Sequence, residues 1–474
     1  MLIIEKTPNQ QCKKIGGVKT FVNRIWLEGI RLGRYVEIGT KMLIKDSVDG
    51  IRVVFNQTDS TRIVSKRTHN GSTLPLIEIN ESNSDFLKSI SPDTLLRIAI
   101  TTQGITITVN KNVVEARMSE RENRLLNKLA NNKKIEIGSI FAGGGTLDYM
   151  AHKGFEQASL STVIRLCVDS EESAIENLID NAGHLFDDRS IFIQSDISIL
   201  DFTKKMPKLD IFNVTPPCID ACAAGKAKKG NNTETWKTAH LAYYYLQLID
   251  KTNPSYIFLE CVTAFSSEPS YMMLTAMLKS WGYDIQTKVI ESNKEGYSLE
   301  SRKRLFMVAV TKGFSATFDI NKVHPRCKPF STLGDILDKV PDDHKCWSPK
   351  TGLLLKESRD AEKGNGFRMQ VFTQSDSYIG TLRAMYQKSG SSDPLISHPD
   401  PTKKLFRILN RKECALAKSI DPELVENRTE GQALSILGNG IIGSISEAFA
   451  YCIGQSILSL NPGDEEYNGL NNSQ

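Results

Sequence analysis

Three short segments, each directly after an apolar run, carry residues that can contact a ligand. SIFAGGGTLD places a glycine cluster, including Gly143 and Gly145, between a predicted strand and a predicted helix, where backbone N–H groups can approach a ligand closely. Asp169 ends the next apolar run, 24 residues after Gly145, and could accept both hydroxyls of a ribose. Asp196 follows a third run and could accept from an adenine amino group. Helix caps explain each feature singly but less easily all three, so the set points to an adenosine-containing cofactor.

A cysteine in a stiff turn is the candidate nucleophile. NVTPPCID follows a fourth apolar run, and its two prolines place Cys218 at the carboxyl edge of the predicted sheet. Cationic neighbours would lower the pKa of this thiol and make it reactive. The next segment, AGKAKKGNN, contains Lys226 and Lys228 and suits contact with phosphate. A lone cysteine is more often a small buried apolar residue, so the motif needs partners.

Partners for this cysteine occur at two further strand ends. Glu260 ends the run YIFLEC, where a carboxylate is costly unless it has a partner or a function. Arg302 and Arg304 stand at alternate positions before another apolar run and therefore project to the same side. Taken alone, the arginines could be ordinary surface residues. Together, a nucleophile, an acid and two guanidinium groups fall at strand ends of one sheet.

The elements that position these residues follow a charged segment, 115–134, which is predicted to be a helical linker. Beyond it, apolar strands alternate with helices, which predicts an α/β fold with a doubly wound, mainly parallel sheet over residues 135–314. Residues 315–405 break this alternation and are interpreted as a small inserted region. Residues 406–460 return to helix and complete the sheet domain, and 461–474 are expected to be a flexible tail.

Residues 1–114 are predicted to form a separate β-rich domain, because short β-branched runs alternate with Asp, Gly and Asn turns. An offset of 54 residues aligns Thr40 with Thr94 and Gly50 with Gly104. This self-similarity predicts two copies of one β-unit packed as a pseudo-symmetric barrel. Chance recurrence of strand and turn within an ordinary all-β domain is the alternative.

Composition narrows the class of protein. The 474 residues are 40% hydrophobic and 24% charged, which is typical of a globular chain, and no run is long and apolar enough for a membrane span. The first residues lack the order of a secretory signal. Nine cysteines without a CxxC pair argue against a disulfide framework and a zinc site, and favour a reducing cytosol. We therefore expect a cytoplasmic protein without metal or membrane.

Charge is distributed unevenly along the chain. Residues 1–130 contain 20 Lys and Arg against 13 Asp and Glu, a net charge of +7, which leaves −3 for the remainder of a chain with +4 in all. A basic first quarter could contact nucleic acid. A solvated lysine-rich surface is the alternative.

Residues 135–460 resemble the DNA (cytosine-5) methyltransferases, with the motifs in that family's usual order. FAGGG corresponds to the FAGxGG cofactor loop, TPPC to the Pro-Cys nucleophile motif, ECV to the Glu-Asn-Val motif and ESRKR to the Gln-x-Arg-x-Arg motif. RILNRKECA resembles the Arg-x-Leu-Thr-x-Arg-Glu element, and LGNGIIGSISEA resembles the closing Gly-Asn-x-Val helix. No single piece is specific, but the combination is.

The resemblance implies a reaction and roles for these residues. Cys218 would add to carbon-6 of a cytosine flipped out of double-stranded DNA, and Glu260 would stabilise the charge that develops in the ring. Arg302 would hold the ring carbonyl oxygen, with Arg304 supporting the nucleophile loop. The methyl group would pass from S-adenosylmethionine to carbon-5, and we expect a monomer. The implied cofactor-site residues are Phe141, Gly143, Gly145, Asp169, Asp196, Ile197, Pro217, Leu241 and Asn439.

The inserted region 315–405 is the predicted target-recognition region. Arg368, Arg383 and Lys388 are its candidate DNA contacts, in addition to the two lysines that follow the nucleophile. A region this small reaches few bases, which predicts a short target of roughly two to four base pairs.

The chain departs from the family's pattern at several motif positions. Ile219 replaces the glutamine that usually follows the nucleophile, and Cys222 stands where serine is common. Cys261 replaces the asparagine that helps fix the nucleophile loop, and Glu300 replaces a glutamine. The nucleophile, the acid and both arginines are kept, which favours an active enzyme.

Three other functions fit parts of the same evidence. An amino-methyltransferase would use a similar Pro-Pro motif, but its last residue is an aromatic that stacks on the flipped base, which Cys218 cannot do. An RNA-directed cytosine-5 enzyme would share the chemistry. A DNA-binding regulator could keep the fold without turnover, and the replaced motif residues support it.

The N-terminal segment WLEGIRL, with the glycine-bounded hairpin after it, weakly resembles the swapped-hairpin barrels of AbrB-type and SymE-like DNA-binding proteins. This resemblance covers about 95 residues. It predicts a small β-barrel with a basic face that raises affinity for DNA without selecting its sequence.

Overall fold

A computed structural model describes residues 1–15, 18–47, 50–69, 71–90, 92, 94–110, 113–217, 236–326 and 330–460. Within it, the chain divides into two compact units, Met1–Ala116 and Arg117–Gln474. Each unit has its own hydrophobic core.

The first unit consists of two antiparallel sheets that share one core. The five-stranded sheet has the order β1-β8-β9-β5-β4 and the four-stranded sheet has the order β2-β3-β7-β6. The strands are β1 (Leu2–Lys6), β2 (Asn9–Ile15), β3 (Val18–Glu28), β4 (Met42–Ser47), β5 (Gly50–Phe55), β6 (Ser65–His69), β7 (Ser72–Asn80), β8 (Leu96–Thr101) and β9 (Gly104–Val109). Short helices α1 (Ile30–Gly33) and α2 (Asp85–Ser89) lie between them along the chain.

In this unit, residues that are 54 positions apart in the sequence pair with each other across neighbouring strands. Ile25 pairs with Ile79, and Arg52 pairs with Thr106. A Cβ at Gly50 would lie 2.2 Å from the carbonyl oxygen of Ile107, and one at Gly104 would lie 2.1 Å from that of Val53. Only glycine allows this close strand approach, so both halves need it at the same place.

Helix α3 (Val113–Ala130) covers most of the segment predicted as a linker, but from Arg117 onward it belongs to the second unit. Arg121 is almost fully buried and donates to Thr311 Oγ1 at 2.8 Å and to the carbonyl oxygens of Trp281 and Gly282 at 2.9 and 2.8 Å. Leu125 is part of the same hydrophobic core as the sheet. The segment is therefore a packed element of the second unit and not an exposed connection.

The second unit is built on a seven-stranded sheet of order β12-β11-β10-β13-β14-β16-β15. Its strands are β10 (Ile135–Ile140), β11 (Thr162–Asp169), β12 (Ile191–Gln194), β13 (Ile211–Val214), β14 (Tyr256–Val262), β15 (Tyr283–Glu291) and β16 (Lys303–Thr311). β10 to β14 pair in parallel, and β16 is antiparallel to both neighbours. The prediction of a doubly wound, mainly parallel α/β sheet is confirmed.

Helices cover both faces of this sheet, so its strands are apolar on both sides. One core contains Ile137 and Phe449, and the other contains Ile140 and Leu246. The helices are α4 (Thr146–Gln157), α5 (Glu172–Asn181), α6 (Trp236–Ala239), α7 (Leu241–Thr252), α8 (Pro269–Ser280), α9 (Thr351–Glu362), α10 (Arg411–Ala417), α11 (Glu430–Asn439) and α12 (Gly443–Leu458).

Residues 315–405 hold little regular structure beyond helix α9, which has no buried residue. Strands β17 (Val371–Phe372), β18 (Leu395–Ser397) and β19 (Phe406–Arg407) form a small sheet. Buried Leu382 and Tyr386 join the core of the main sheet, so the region packs directly on the rest of the second unit. Short 3-10 helices in the described residues are Glu81–Asn83, Gly183–Leu185, Ile197–Ile199, Thr263–Ser267, Lys312–Thr317, Ile320–Lys322, Leu333–Asp335, Tyr386–Lys388, Pro401–Lys403 and Pro422–Val425.

In the part of the chain that the structure describes, no single helix is long and apolar enough to cross a membrane. The bent pair α11 and α12 meets that criterion only when taken together, by length and composition. Among the same residues, no group of three or more His, Cys, Asp or Glu side chains is arranged to hold a metal ion.

Candidate active site

A cavity of about 650 Å³ opens at the carboxyl ends of the parallel strands. The strand order reverses between β10 and β13, and this switch point is where open α/β sheets bind ligands. Most of the residues predicted from the sequence meet there. The predicted residues in its wall are Phe141, Gly143, Asp169, Asp196, Ile197, Pro217, Leu241, Glu260, Arg302, Arg304 and Asn439.

The glycine loop after β10 forms one wall of this cavity. Phe141 takes a left-handed backbone conformation with φ 56°, and Gly143 follows with φ 54°. A Cβ at Gly143 would meet no protein atom within 4 Å, so the loop backbone lies open to the cavity. Gly144, also in the wall, is confined from behind, because its Cβ would lie 2.3 Å from Cγ2 of Ile436 in α11.

Gly145 has a different position from its neighbours. It does not line the cavity, and a Cβ there would lie 2.3 Å from Cδ2 of Leu178 in α5. With φ 82° it forms the N-cap of α4. Gly145 therefore packs against α5 and begins α4. It was predicted to contact the cofactor, but it does not lie in the cavity wall.

Asp169, at the end of β11, fixes the glycine loop. Its Oδ2 accepts from the backbone N–H of Gly143 at 2.7 Å, and its Oδ1 accepts from that of Glu171 at 2.9 Å. Ser170 and Glu171 also line the cavity and were not predicted from the sequence. Their position after a buried strand end is the signal that could have identified them.

Asp196 begins a 3-10 turn beside the cavity. Its Oδ1 accepts from the backbone N–H of Ser198 at 2.8 Å. Hydrogen bonds from Ser198 lower the pKa of this carboxyl, with a smaller contribution from His240. Asp196 is therefore an ionised acceptor at neutral pH, on the side of the cavity formed by Leu241.

A buried carboxyl lies directly behind the glycine loop and was not predicted. Asp148, in α4, accepts from Ser139 Oγ at 2.7 Å and from Asn213 Nδ2 at 2.8 Å. Burial raises the pKa of Asp148 to about 6, against the opposing effect of these two hydrogen bonds. The three side chains tie α4 to strands β10 and β13, on which the loop is built.

Glu260 and Arg304 form an ion pair in the cavity wall. Arg304 Nε lies 3.1 Å from Glu260 Oε1, and both side chains keep partial access to solvent. They stand on neighbouring antiparallel strands, with Val262 paired to Arg304 and Glu260 to Phe306. The acid is thus held by a cation two residues along the opposite strand.

Arg302 lines the same cavity but is committed to the protein. Its NH1 donates to the carbonyl oxygen of Leu382 at 3.2 Å and to Glu300 Oε1 at 3.3 Å. Its NH2 donates to the carbonyl oxygen of Gly438 at 3.3 Å. The two predicted arginines therefore have different surroundings. Arg304 lies beside Glu260, and Arg302 joins the segments that contain Glu300, Leu382 and Gly438.

The nucleophile turn begins inside the described chain. Thr215 Oγ1 donates to the carbonyl oxygen of Phe141 at 2.7 Å, and Pro216 and Pro217 line the cavity. Cys261 Sγ lies 3.8 Å from the carbonyl oxygen of Pro216, so this residue still contacts the turn that an asparagine was expected to fix. The predicted nucleophile Cys218 and the predicted DNA contacts Lys226 and Lys228 lie outside the described residues.

The predicted DNA contacts of the inserted region have separate surroundings. Arg368 and Lys388 are exposed, and Arg383 Nε pairs with Asp393 Oδ1 at 2.8 Å. Arg383 also lines a second, more open cavity of about 660 Å³, together with Gln370 and residues of the adjacent turn.

Comparison with solved structures identifies the class of fold. Three of the solved structures that resemble the chain establish, at these identities, the fold alone, that of Rossmann-like methyltransferases. The Dnmt2 methyltransferase of S. pombe is 17% identical with a TM-score of 0.53, covering 69% of this chain and 100% of its own. The methyltransferase EhMeth of Entamoeba histolytica is 16% identical with a TM-score of 0.52, over 68% of this chain and 98% of its own. A mutant DNMT2 of Spodoptera frugiperda is 16% identical with a TM-score of 0.51, over 68% and 100%.

The amino-acid sequence assigns the chain to a narrower class than the fold does, namely a protein family. The family model of C-5 cytosine-specific DNA methylases matches residues 135–455, more than half of the chain. The chain therefore belongs to the C-5 cytosine-specific DNA methylase family. No curated protein sequence matches the chain.

Proposed function

We propose that the protein is a DNA cytosine-5 methyltransferase in which Cys218 is the nucleophile and S-adenosylmethionine is the methyl donor. One observation carries the proposal. A carboxylate with a guanidinium partner, Glu260 with Arg304, lines the same cavity as the glycine loop and Pro217, the residue before Cys218. Family membership supplies the reaction type.

The cavity fits the donor by the chemistry of its wall. Asp169 offers carboxylate oxygens at the strand end where a ribose is held in nucleoside-binding sheets. Gly143 leaves open space where a side chain would project. Asp196 and Leu241 would hold the base, and Asn439 would complete the wall. When bound, S-adenosylmethionine supplies an electrophilic methyl group.

The reaction follows from the charges at the other end of the cavity. A cytosine must leave the base stack to reach it. The Cys218 thiolate forms a bond to carbon-6, and the electron pair that this releases makes carbon-5 nucleophilic toward the methyl group. A proton shared between the Glu260 carboxyl and ring N3 neutralises the negative charge that develops in the ring. Loss of the carbon-5 proton to water then re-forms the ring double bond and expels Cys218.

The geometry favours Arg304 over Arg302 as the group that meets the ring carbonyl oxygen. In cytosine, carbonyl C2 is bonded directly to N3, so the cation beside Glu260 is the one within reach of that oxygen. Arg304 lies beside Glu260, whereas Arg302 donates to three acceptors of the protein. We therefore assign substrate contact to Arg304 and support to Arg302.

A covalent adduct tests the proposal. Duplex DNA that contains 5-fluorocytosine at the target should form a denaturation-resistant complex, because fluorine cannot leave as the carbon-5 proton does. The complex should require S-adenosylmethionine, disappear in Cys218→Ala and persist in Cys261→Ala. Methylation by Cys218→Ala would contradict the covalent mechanism and favour an amino-methyltransferase.

The substrate is decided by the same assay. DNA is favoured because the family described by the matching model is a DNA methylase and the chain adds a separate β-rich unit before the matched residues. Adduct formation with a 5-fluorocytosine RNA, and none with DNA, would instead make the protein an RNA-directed enzyme. Adducts with neither would favour a DNA-binding regulator without turnover.

A further inference from the structure

Three buried charges form a cluster behind the active-site cavity. Lys418 Nζ lies 2.7 Å from Glu300 Oε2, and Arg302 NH1 lies 3.3 Å from Glu300 Oε1. The side chains of Glu300 and Lys418 are fully buried, and that of Arg302 is 7% exposed. Glu300 is the residue at which the motif departs from the expected glutamine, and Lys418 was not singled out by the sequence.

The cluster joins segments that are far apart in the chain. Glu300 Oε1 accepts from the backbone N–H of Leu382 at 3.1 Å, which connects it to the inserted region. Lys418 Nζ donates to the carbonyl oxygen of Gly440 at 3.4 Å, and Arg302 donates to that of Gly438. These two glycines flank Asn439 of the cavity wall.

The backbone holds the cluster in register. The N–H of Glu300 donates to the carbonyl oxygen of Ala417 at 2.9 Å, and the N–H of Gly443 donates to that of Lys418 at 2.9 Å. The start of β16, the end of α10 and the start of α12 are therefore fixed to one another where the two charges meet. The side chains have little freedom to separate.

Charge balance requires the carboxylate at position 300 as long as lysine stands at 418. Glu300 is the single anion between two buried cations, and a buried charge is tolerated only with a partner. Without Glu300, Lys418 and Arg302 would face each other unneutralised. Without Lys418, Glu300 and Arg302 would still form a neutral pair. Removing Glu300 should therefore destabilise the protein more than removing Lys418.

We propose that Lys418 is a positioning residue for the reaction, which acts through Glu300 to hold Arg302 and the 438–440 turn in the geometry of methyl transfer. Glu300 and Lys418 act as one unit, because the buried lysine at 418 needs the carboxylate at 300 to neutralise its charge. The role of the pair in methyl transfer rests on the proposed function, whereas the pairing of the two charges is independent of it.

The titration of Lys418 supplies an independent readout. The charged and titratable groups around it are Glu300, Arg302, Arg304 and Cys414. Burial, followed by Arg302, lowers its pKa to about 8, and Glu300 opposes this. Removing Glu300 would lower it further. Because the pKa in the fold lies below the unfolded value, the cost of burying the charge is present at low pH and is relieved as pH rises through the folded pKa.

The test compares the full-length protein with Glu300→Gln, Lys418→Met and the double variant at pH 6.5 and 9. We expect Glu300→Gln to lower kcat by roughly 10²-fold at pH 6.5, because it misplaces Arg302. Lys418→Met should have a smaller effect. Adding Lys418→Met to Glu300→Gln should restore most of kcat and of the melting temperature. Raising the pH should rescue Glu300→Gln but give no comparable gain in the double variant.

Glu413→Gln is the matched control, since Glu413 of helix α10 forms a buried ion pair with Arg407 of strand β19, and neither residue lines the cavity. It should lower the melting temperature while kcat of the folded protein stays near that of the wild type. A double variant no more active than Glu300→Gln would overturn the proposal, including the case in which only its melting temperature recovers. If the wild type transfers no methyl group at all, the proposed function fails, while the melting temperatures still report the pairing of Glu300 with Lys418.

Discussion

Arg304 Nε lies 3.1 Å from Glu260 Oε1, on strands that run antiparallel at the edge of the active-site cavity. This pair places a cation beside the acid that would meet the N3 edge of a cytosine. The same guanidinium would then be near the neighbouring carbonyl oxygen. The pair thus offers a carboxyl group and a guanidinium group along a single edge of the ring.

Glu260→Gln should lower kcat by on the order of 10²-fold or more and leave binding of DNA and S-adenosylmethionine nearly unchanged. The amide keeps the shape of the side chain but cannot pass a proton to ring N3. Single-turnover kinetics and titration calorimetry measure the two quantities. Glu156→Gln, on the exposed side of α4, is the control and should behave as the wild type. A kcat unchanged in Glu260→Gln would remove Glu260 from the mechanism.

Arg304→Met and Arg302→Met should separate the roles of the two arginines. Loss of Arg304 should reduce kcat strongly with little change in melting temperature, because that side chain keeps partial access to solvent. Loss of Arg302 should also lower the melting temperature, since it leaves the carbonyl oxygens of Leu382 and Gly438 without their donor. Equal melting temperatures for the two variants would argue against this division.

Gly144→Ala should weaken binding of S-adenosylmethionine by about tenfold or more, because the new Cβ would lie 2.3 Å from Ile436 and shift the loop. Calorimetry gives the dissociation constant. Adding Ile436→Ala removes the clashing atoms and should recover part of the affinity. Gly183→Ala, where a Cβ meets no atom within 4 Å, is the control. No recovery in the double variant would place the cause elsewhere.

Asp148→Asn should raise stability above neutral pH. Burial raises the pKa of Asp148 from 3.8 to about 6, so the fold disfavours the ionised form. Wild-type stability is therefore lost as pH rises from about 4 through 6. Relative to wild type, the variant should gain about 1 kcal/mol more at pH 8 than at pH 5, measured by chemical denaturation.

Asp187→Asn is the control of opposite sign for this pH effect. Its hydrogen bond with Arg165 lowers the pKa of Asp187 to about 2, so ionisation of this group favours the fold. The stability that it contributes is present above the unfolded pKa and is lost as pH falls through the folded one. Asp187→Asn should therefore be less stable than wild type at neutral pH. An Asp148→Asn difference that did not change with pH would contradict the assigned titration.

Deleting residues 1–112 should weaken DNA binding and flatten its dependence on salt, while the methylated sequence stays the same. The deletion ends before α3, because Arg121 and Leu125 pack in the second unit. A deletion that continued to residue 130 should instead destabilise the catalytic unit. Binding across a salt series and sequencing of methylated DNA measure the two effects. A changed target sequence would show that the first unit takes part in recognition.

Local patterns in the sequence determined the main sheet, the glycine loop and the internal repeat of this protein. Alternating strands and helices specified the parallel sheet, and a glycine cluster after the first of these strands specified a ligand loop. Acidic residues at strand ends came together at the switch point because parallel strands end at the same edge. The internal offset of 54 residues was also visible in the sequence, since both copies need glycine where strands approach closely.

Only the tertiary structure decided which residues work together across the chain. Glu300 and Lys418 are 118 residues apart, and no period or turn signal connects them. Arg302 and Arg304 look equivalent in the sequence, yet packing gives one to the acid and the other to the protein interior. The charged segment 115–134 looks like a linker because it is rich in Lys, Arg and Glu, while the side chains that bury Arg121 come from distant elements. The spacing of apolar residues in the sequence predicts which face of a helix or strand a residue occupies. The side chain that it contacts depends on how distant segments pack together.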